Sequence, residues 1–372
     1  MTTLAALATP ALVLDVDRLD ANVARLRSHL TALGVQLRQH VKTGKSINVA
    51  TRASPAGAGP ITVSTLREAE YFLEHGVTDI LYAVGIEPGK LDHVIALRAR
   101  GADLAVITDN IDGARAVAAR NAGIPVLLEI DSDGHRAGVR PGAPLLAEIA
   151  RALGTGATLR GVMTHAGESY QCATTDAIRT MAEQERRAVV DSATVLRAAG
   201  FSCPVVSVGS TPTATFADDL AGVTEVRAGV FVFQDLTMAG LGVCTTSDIA
   251  ISVLVSVIGH QREKGWILTD GGWMALSRDR GRAPSSPDSG YGLVCDEAGG
   301  PIGDLIVHGA NQEHGMISSR GGLPMDFDAF PLGRRLRILP NHACATAAQH
   351  AEYVVVRGNT EAIAHWPRAN HW

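Results

Sequence analysis

Cysteine is scarce in this chain. There are five in 372 residues, Cys172, Cys203, Cys244, Cys295 and Cys344, an odd number scattered over little more than the C-terminal half. That spacing excludes a disulfide framework and suits reduced thiols in a cytoplasmic enzyme. No apolar run is long enough for a membrane helix, so no membrane partner is expected. The opening "MTTLAALATPALVLD" has neither a cationic start nor a long apolar stretch, so no secretory leader is expected. Long basic runs are missing and the net charge is -5, which argues against a nucleic-acid partner. No G-x-G-x-x-G follows the first apolar run, which weakens an open dinucleotide-binding sheet. Low-complexity tracts are missing too.

What is present is a globular composition, 46% hydrophobic and 19% charged. The length exceeds one ordinary core and suits a large barrel with a smaller second domain. From about residue 10 to about residue 240, short apolar runs alternate with helical patterns. The runs are "ALVLDV", "VQLRQHVK", "PITVST", "DILYAV", "DLAVIT", "PVLLEID", "LRGVMTH", "PVVSVG" and "TEVRAG". Between the first two, Leu19, Val23, Leu26 and Leu30 recur at helical spacing. Repeated βα units predict an (α/β)8 TIM-type barrel. After about residue 245 the pattern becomes strand-like, in "DIAISVLVSVIGH", "KGWILTDGG", "IGDLIVHG", "RRLRILPN" and "EYVVVRG". The expected division is 1–244 for the barrel and 245–372 for a mostly β domain, with the first few residues candidates to join the latter.

Active residues of such barrels lie at the C-terminal ends of strands. One of those ends, "LRQHVKTGKS", crowds Arg38, His40, Lys42 and Lys45 into ten residues. Crowded, desolvated cations favour the neutral, nucleophilic form of an amine; a solvated basic turn is the plainer reading. "GSTPT" follows the run "PVVSV" and offers Ser210, Thr211 and backbone N–H groups to an anion such as phosphate; an ordinary helix cap would look the same. His165, with Tyr170 close by, could stack on a planar ring or serve as a hydrogen-bonded structural residue. Arg136 and Arg227 sit beside glycines and read as buried, paired with a structural carboxylate or a cofactor atom. In "PNHACAT", His342 and Cys344 are two residues apart. On a strand they would share a face and could bind one soft or borderline metal. Arg278, Arg280 and Arg282 in "SRDRGRAP" are candidate partners for a second substrate carboxylate, or members of a solvated loop.

Taken in order, "TPALVLDVDRLDANVARL", "LRQHVKTGKS", "DSDGHRAGV", "THAGESY", "SVGSTPT", "EVRAGVFVFQD", "GANQEHG" and "ILPNHACAT" run nearly end to end. In these motifs the chain resembles the metal-dependent D-serine dehydratase and D-threo-3-hydroxyaspartate dehydratase group, pyridoxal-phosphate enzymes of the alanine-racemase fold type. The resemblance implies a barrel followed by a β domain, working as a homodimer. It implies that Lys42 is the Schiff-base lysine, with Lys45 its neighbour. It implies His165 against the cofactor ring, Arg136 near the phenolic oxygen and Arg227 facing the pyridine nitrogen. Ser210, Thr211 and the backbone of Gly229 and Val230 would hold the phosphate. His342 and Cys344 match the metal ligands; zinc suits them best, with manganese, cobalt or magnesium as alternatives. Two departures stand out: Gln39 where the family often has Pro, and Phe231 where it often has Tyr.

The function this implies is β-elimination from a D-3-hydroxy amino acid, such as D-threo-3-hydroxyaspartate or D-serine, giving a 2-keto acid and ammonia. A D-threonine-type or 3-hydroxy-D-aspartate aldolase is the alternative, disfavoured because such aldolases carry Asp where Cys344 stands. A non-catalytic pyridoxal-phosphate-binding protein would lack the β domain, and a racemase would need a second base that this sequence does not clearly supply.

Overall fold

The computed structural model describes every residue except Met1, Pro55, Ala56, Ala58, Arg282, Ser285 and Asn359. The chain divides into two compact units, one formed by residues 24–229 with the last two residues, the other by 1–23 and 230–370.

The first unit is a closed parallel barrel of eight strands: β1 (Gln36–His40), β2 (Ile61–Val63), β3 (Asp79–Gly85), β4 (Asp103–Thr108), β5 (Ile124–Ile130), β6 (Ala157–Thr164), β7 (Val205–Val208) and β8 (Glu225–Ala228). Each pairs with its sequence neighbour, and β8 closes on β1 with Arg227 opposite Arg38. Leu81, Ala105, Ile107, Leu127 and Met163 pack into one buried cluster of this unit. The seam between β8 and β1 is polar instead. Arg38 is buried there, donating from Nε to Glu225 Oε2 (2.8 Å) and from Nη1 to Asp79 Oδ1 (2.8 Å) and the Ile61 carbonyl (3.1 Å). Glu225 and Asp79 both open their strands, so Arg38 points to the end of the barrel opposite the C-terminal strand ends. The longest helix, Thr175–Ala198, starts at a Thr174 side-chain cap and buries Ile178, Ala182, Glu185, Ala188, Val189, Ser192, Ala193 and Leu196. That three-and-four spacing is the stripe an amphipathic helix turns inward. A carboxylate within it is the exception.

The second unit is a ten-stranded sheet in the order Thr2–Thr3, Glu361–Pro367, Glu352–Val356, Ala11–Asp15, Ile251–Gln261, Trp266–Thr269, Gly315–Ser319, Pro301–Ala310, Leu293–Cys295 and Arg335–Leu339. The last strand also pairs with Ile251–Gln261, so part of the sheet closes on itself. All five expected strands are found here. The first apolar run, "ALVLDV", is a correction. It reads as the opening strand of the βα series, yet Ala11–Asp15 runs antiparallel to Ile251–Gln261 and parallel to Glu352–Val356. Its side chains explain the placement: Val13 packs with Leu4, Leu254, Val354 and Val356. The remaining eight runs are the eight barrel strands. No helix among the described residues is long and apolar enough to cross a membrane.

Candidate active site

The crowding of cations after β1 resolves into separate partnerships. Arg38 turns to the far end of the barrel, as described. Lys45, in a left-handed conformation (φ 44°), ion-pairs with the fully buried Glu68 at 2.9 Å. Burial is the main reason that His40 is held well below the usual imidazole range, helped by the charges of Lys42 and Arg227. It is therefore a neutral ring, and its Nδ1 is buried without a hydrogen-bond partner. Lys42 is exposed in the turn that follows β1, and no carboxylate among the described residues pairs with it. The loop is pressed against the end of β8: a side chain on Gly229 would place its Cβ 3.0 Å from Thr43 Oγ1 and 3.1 Å from the His40 carbonyl oxygen. A Cβ there would force these neighbours to give by a few tenths of an ångström, so glycine suits the close approach. Val230, next in the chain, is buried and opens the short turn Val230–Val232, and Phe231 is buried within that turn.

His165 follows β6. Its ring hydrogen-bonds through Nδ1 to the Gly209 carbonyl (2.7 Å), and since a carbonyl only accepts, Nδ1 carries the proton. Burial, reinforced by the Lys42 charge, pulls the ring down to about 3, so it is neutral with its other nitrogen unprotonated. The Tyr170 ring lies 6.2 Å from it, tilted by 50°. Ser210 caps the helix Thr211–Phe216, accepting from the Thr213 N–H (3.2 Å), and its hydroxyl also meets Ser169 Oγ (2.9 Å). Thr211, the first helical residue, is buried.

Sequence reasoning missed the residue that binds these two loops together. Glu185 Oε1 accepts from the backbone N–H of Ala166 (3.0 Å) and of Gly209 (3.0 Å), and Oε2 accepts from Thr213 Oγ1 (2.7 Å). Burial raises this carboxyl above its ordinary range, with those hydrogen bonds opposing. In sequence it stands in "EQERR", which reads as a solvated charged face. The one signal available was its position in the inward stripe of the helix.

The two arginines expected to be buried differ. Arg227 is buried; Nη1 donates to Ser207 Oγ (2.5 Å) and Nη2 to the Thr164 carbonyl. Burial lowers its affinity for the proton, with Glu225 and Glu185 opposing. Arg136 is a correction: its side chain is 60% exposed, 3.6 Å from Glu129 Oε1. The segment "DSDGHR" has turn chemistry, with Asp131 accepting from Gly134 N (2.6 Å) and Asp133 from His135 N (3.2 Å), and such a loop projects its long side chains outward.

In the second unit His342 and Cys344 come together, but not on a strand. The strand Arg335–Leu339 ends before Pro340, and His342 is the residue preceding the helix Ala343–Ala347, which contains Cys344. Ala-rich "ACATAA" is helix-forming sequence, and the first turn takes over the pairing that strand alternation was expected to give. His342 interacts with the Cys344 side chain and shares a 2.6 Å hydrogen bond between Nδ1 and Asp279 Oδ2. Burial disfavours a charged ring, but Asp279 and Cys344 outweigh it and raise His342 above the usual imidazole range. Among the described residues no group of three His, Cys, Asp or Glu converges for one ion. A thiol and an imidazole are a donor set for a soft or borderline metal. Arg280 is held by Asp288 (2.6 Å) and the Gly290 carbonyl (3.0 Å), and Arg278 lies over the Trp273 ring. Arg282 lies outside the described residues.

Comparison with known proteins follows the two-unit layout. Residues 14–236 match the family model "Alanine racemase, N-terminal domain" and residues 250–356 match "Putative serine dehydratase domain". D-threo-3-hydroxyaspartate dehydratase of Delftia sp. is 51% identical over 378 residues, covering 100% of this chain and 99% of that protein. D-serine dehydratase of Dictyostelium discoideum is 29% identical over 389 residues, covering 98% of this chain and 97% of that protein. The solved structure of the Delftia enzyme superimposes with a TM-score of 0.97 at 51% identity over 100% of both chains. A cysteine-to-alanine variant of D-threo-3-hydroxyaspartate dehydratase, solved in a metal-free form, matches with the same TM-score of 0.97 at 50% identity over 100% of both chains.

Proposed function

This chain belongs to the D-threo-3-hydroxyaspartate dehydratase family of lyases, and from that premise we propose that it dehydrates a D-3-hydroxy amino acid to a 2-keto acid and ammonia. D-threo-3-hydroxyaspartate is the preferred substrate in this reading, supported by the end-to-end identity, and D-serine the second. The observation that carries the reading is the state of Lys42, the loop lysine with no carboxylate partner among the described residues, beside two neutral histidines. A free amine there fits pyridoxal phosphate, and the thiol–imidazole pair fits a divalent metal, zinc first. The cofactor would be held by Lys42 through its amine, by His165 and Tyr170 at the ring, by Arg136 and Arg227 at its polar ring atoms, and by Ser210, Thr211, Gly229 and Val230 at the phosphate. His342 and Cys344 would hold the metal.

When bound, the cofactor supplies an electron sink for charge at Cα, and the metal a Lewis acid for the β-hydroxyl. The chain supplies the rest. Lys42 receives the Cα proton at Nζ. His165, neutral and fixed through Nδ1, presents an uncharged ring face that adds no competing charge. Arg227, sunk among Ser207, Thr164 and nearby carboxylates, holds its orientation without substrate. Cys344, where the aldolases carry Asp, supports loss of the hydroxyl over cleavage of Cα–Cβ. We extend the proposal to a homodimer, which rests on the family resemblance alone, and to a cytoplasmic location without nucleic-acid or membrane partners, a reading that the net charge of -5 and the five free cysteines fit.

The test is a product assay with D-serine, D-threonine and the 3-hydroxyaspartate isomers. A 2-keto acid with ammonia, fastest from D-threo-3-hydroxyaspartate and stopped by a chelator, is the expected outcome. Glycine with an aldehyde or glyoxylate would make the protein an aldolase and overturn the proposal.

A further inference from the structure

We propose that Asp279 is a positioning residue that fixes the His342 ring in the one tautomer able to bind the metal, an inference that rests on the metal reading above. The hydrogen bond between His342 Nδ1 and Asp279 Oδ2 is 2.6 Å long. A carboxylate accepts and does not donate, so Nδ1 keeps its proton, and a metal that displaces the other ring proton meets the lone pair on Nε2. A hydrogen bond to one ring nitrogen sets which nitrogen meets a metal.

Asp279 is itself held. Its other oxygen, Oδ1, accepts from the Gly281 N–H (3.0 Å), and its own N–H donates to Ser277 Oγ (3.1 Å). Ser277 keeps a backbone φ of 76°, a conformation that costs a non-glycine residue energy and persists where the surroundings impose it. The loop is pressed on the histidine: a Cβ on Gly281 would stand 2.9 Å from Thr237 Oγ1 and 3.5 Å from His342 Cβ. A second carboxylate fixes the backbone of the same segment. Buried Asp235 accepts from the N–H of Ala343 (2.9 Å) and of Met238 (2.9 Å), anchoring the turn between His342 and Cys344. The division is clear: Asp235 sets where the chain runs, Asp279 sets which way the ring faces. Asp279 meets the ring at Nδ1, the nitrogen that this inference leaves to the proton, and among the described residues no group of three His, Cys, Asp or Glu is placed to hold one ion.

The experiment uses the full protein with pyridoxal phosphate bound, stripped of metal and titrated with zinc chloride against a chromophoric chelator. Asp279→Ala weakens zinc roughly 10- to 100-fold, the range for loss of such a supporting carboxylate. Asp279→Asn, which keeps an acceptor but not the charge, recovers part of the loss. Wild-type affinity in Asp279→Ala overturns the inference. Nitrogen-15 spectra of histidine-labelled, zinc-loaded wild type give a second reading that depends on no variant: a proton on Nδ1 of His342 with the metal on Nε2 supports it, and the metal on Nδ1 overturns it. His342→Ala separates the two layers. Its loss of zinc binding upholds the metal reading, so that an indifferent Asp279→Ala condemns only the role of Asp279. Zinc binding that survives His342→Ala removes the metal reading, and this inference with it.

Discussion

Lys42 and Lys45 share one turn and have opposite attachments, and that contrast separates chemistry from architecture at the scale of the residue. Lys45 neutralises Glu68, whose side chain is fully buried, while Lys42 has no carboxylate partner among the described residues. Removing Lys45 leaves a buried charge without its partner, a loss on the order of 3 kcal/mol. Removing Lys42 deprives no buried carboxylate among the described residues of a partner. Lys45→Ala is therefore expected to lower the urea midpoint markedly while borohydride still fixes the cofactor on the peptide containing Lys42. Lys42→Ala should unfold near the wild-type midpoint and fix no cofactor at all. Fixation on Lys45 in the wild-type protein would sink both the assignment of Lys42 and this account of the ion pair.

At the scale of elements, the candidate site is two loops cross-tied by a helix. The loop after β6 carries His165 and the loop after β7 carries Ser210; they are joined by the His165–Gly209 and Ser169–Ser210 contacts, and Glu185 reaches from the helix Thr175–Ala198 to both. Glu185→Gln keeps an acceptor for the two N–H groups and should bind pyridoxal phosphate within a few-fold of wild type. Glu185→Ala strands buried donors, each costing about 1–3 kcal/mol, and should weaken the cofactor at least tenfold (about 1.4 kcal/mol). Equal cofactor dissociation constants for the Ala and wild-type proteins would show that the other contacts suffice. The same scale explains what the sequence disclosed. Eight βα runs were readable because each strand is a short apolar segment followed by a helical period. The strand Ala11–Asp15 was misplaced because its apolar pattern records burial but not the identity of the neighbour, and the neighbours are residues 251–254 and 354–356. His342 and Cys344 were found by residue type, while their helix-start geometry was hidden behind a strand that ends at Leu339. Arg136 read as buried because glycine neighbours do not distinguish a packed strand end from an open turn. Glu185 and Asp279 went unnoticed because a charge in a helix or an acid in an arginine-rich loop carries no local sign that it faces inward.

Across the whole molecule, the half-buried neutral histidines make stability depend on pH in a predictable direction. His165 takes a proton near pH 6.5 in the unfolded chain but only at about 3 when folded, chiefly because burial disfavours the charged ring and the Lys42 charge adds to this. Between those limits the unfolded state holds the extra proton, so stability rises with pH. The contribution is complete above about pH 6.5 and disappears progressively as the pH falls toward 3. His40 acts in the same sense. Glu185, Glu129 and Asp235 act in the opposite one, because burial raises each of them and the folded protein accepts their protons first. A comparison with a variant isolates His165 from these opposing groups. His165→Asn keeps a side-chain N–H that can donate to the Gly209 carbonyl but has no group titrating in this range. The wild type should lose about 2 kcal/mol more than His165→Asn between pH 7 and pH 5, measured by urea unfolding of both proteins in the same cofactor state. Equal losses would mean that the folded ring accepts a proton as readily as the unfolded one. In that case the uncharged ring face assigned to His165 would have to be abandoned.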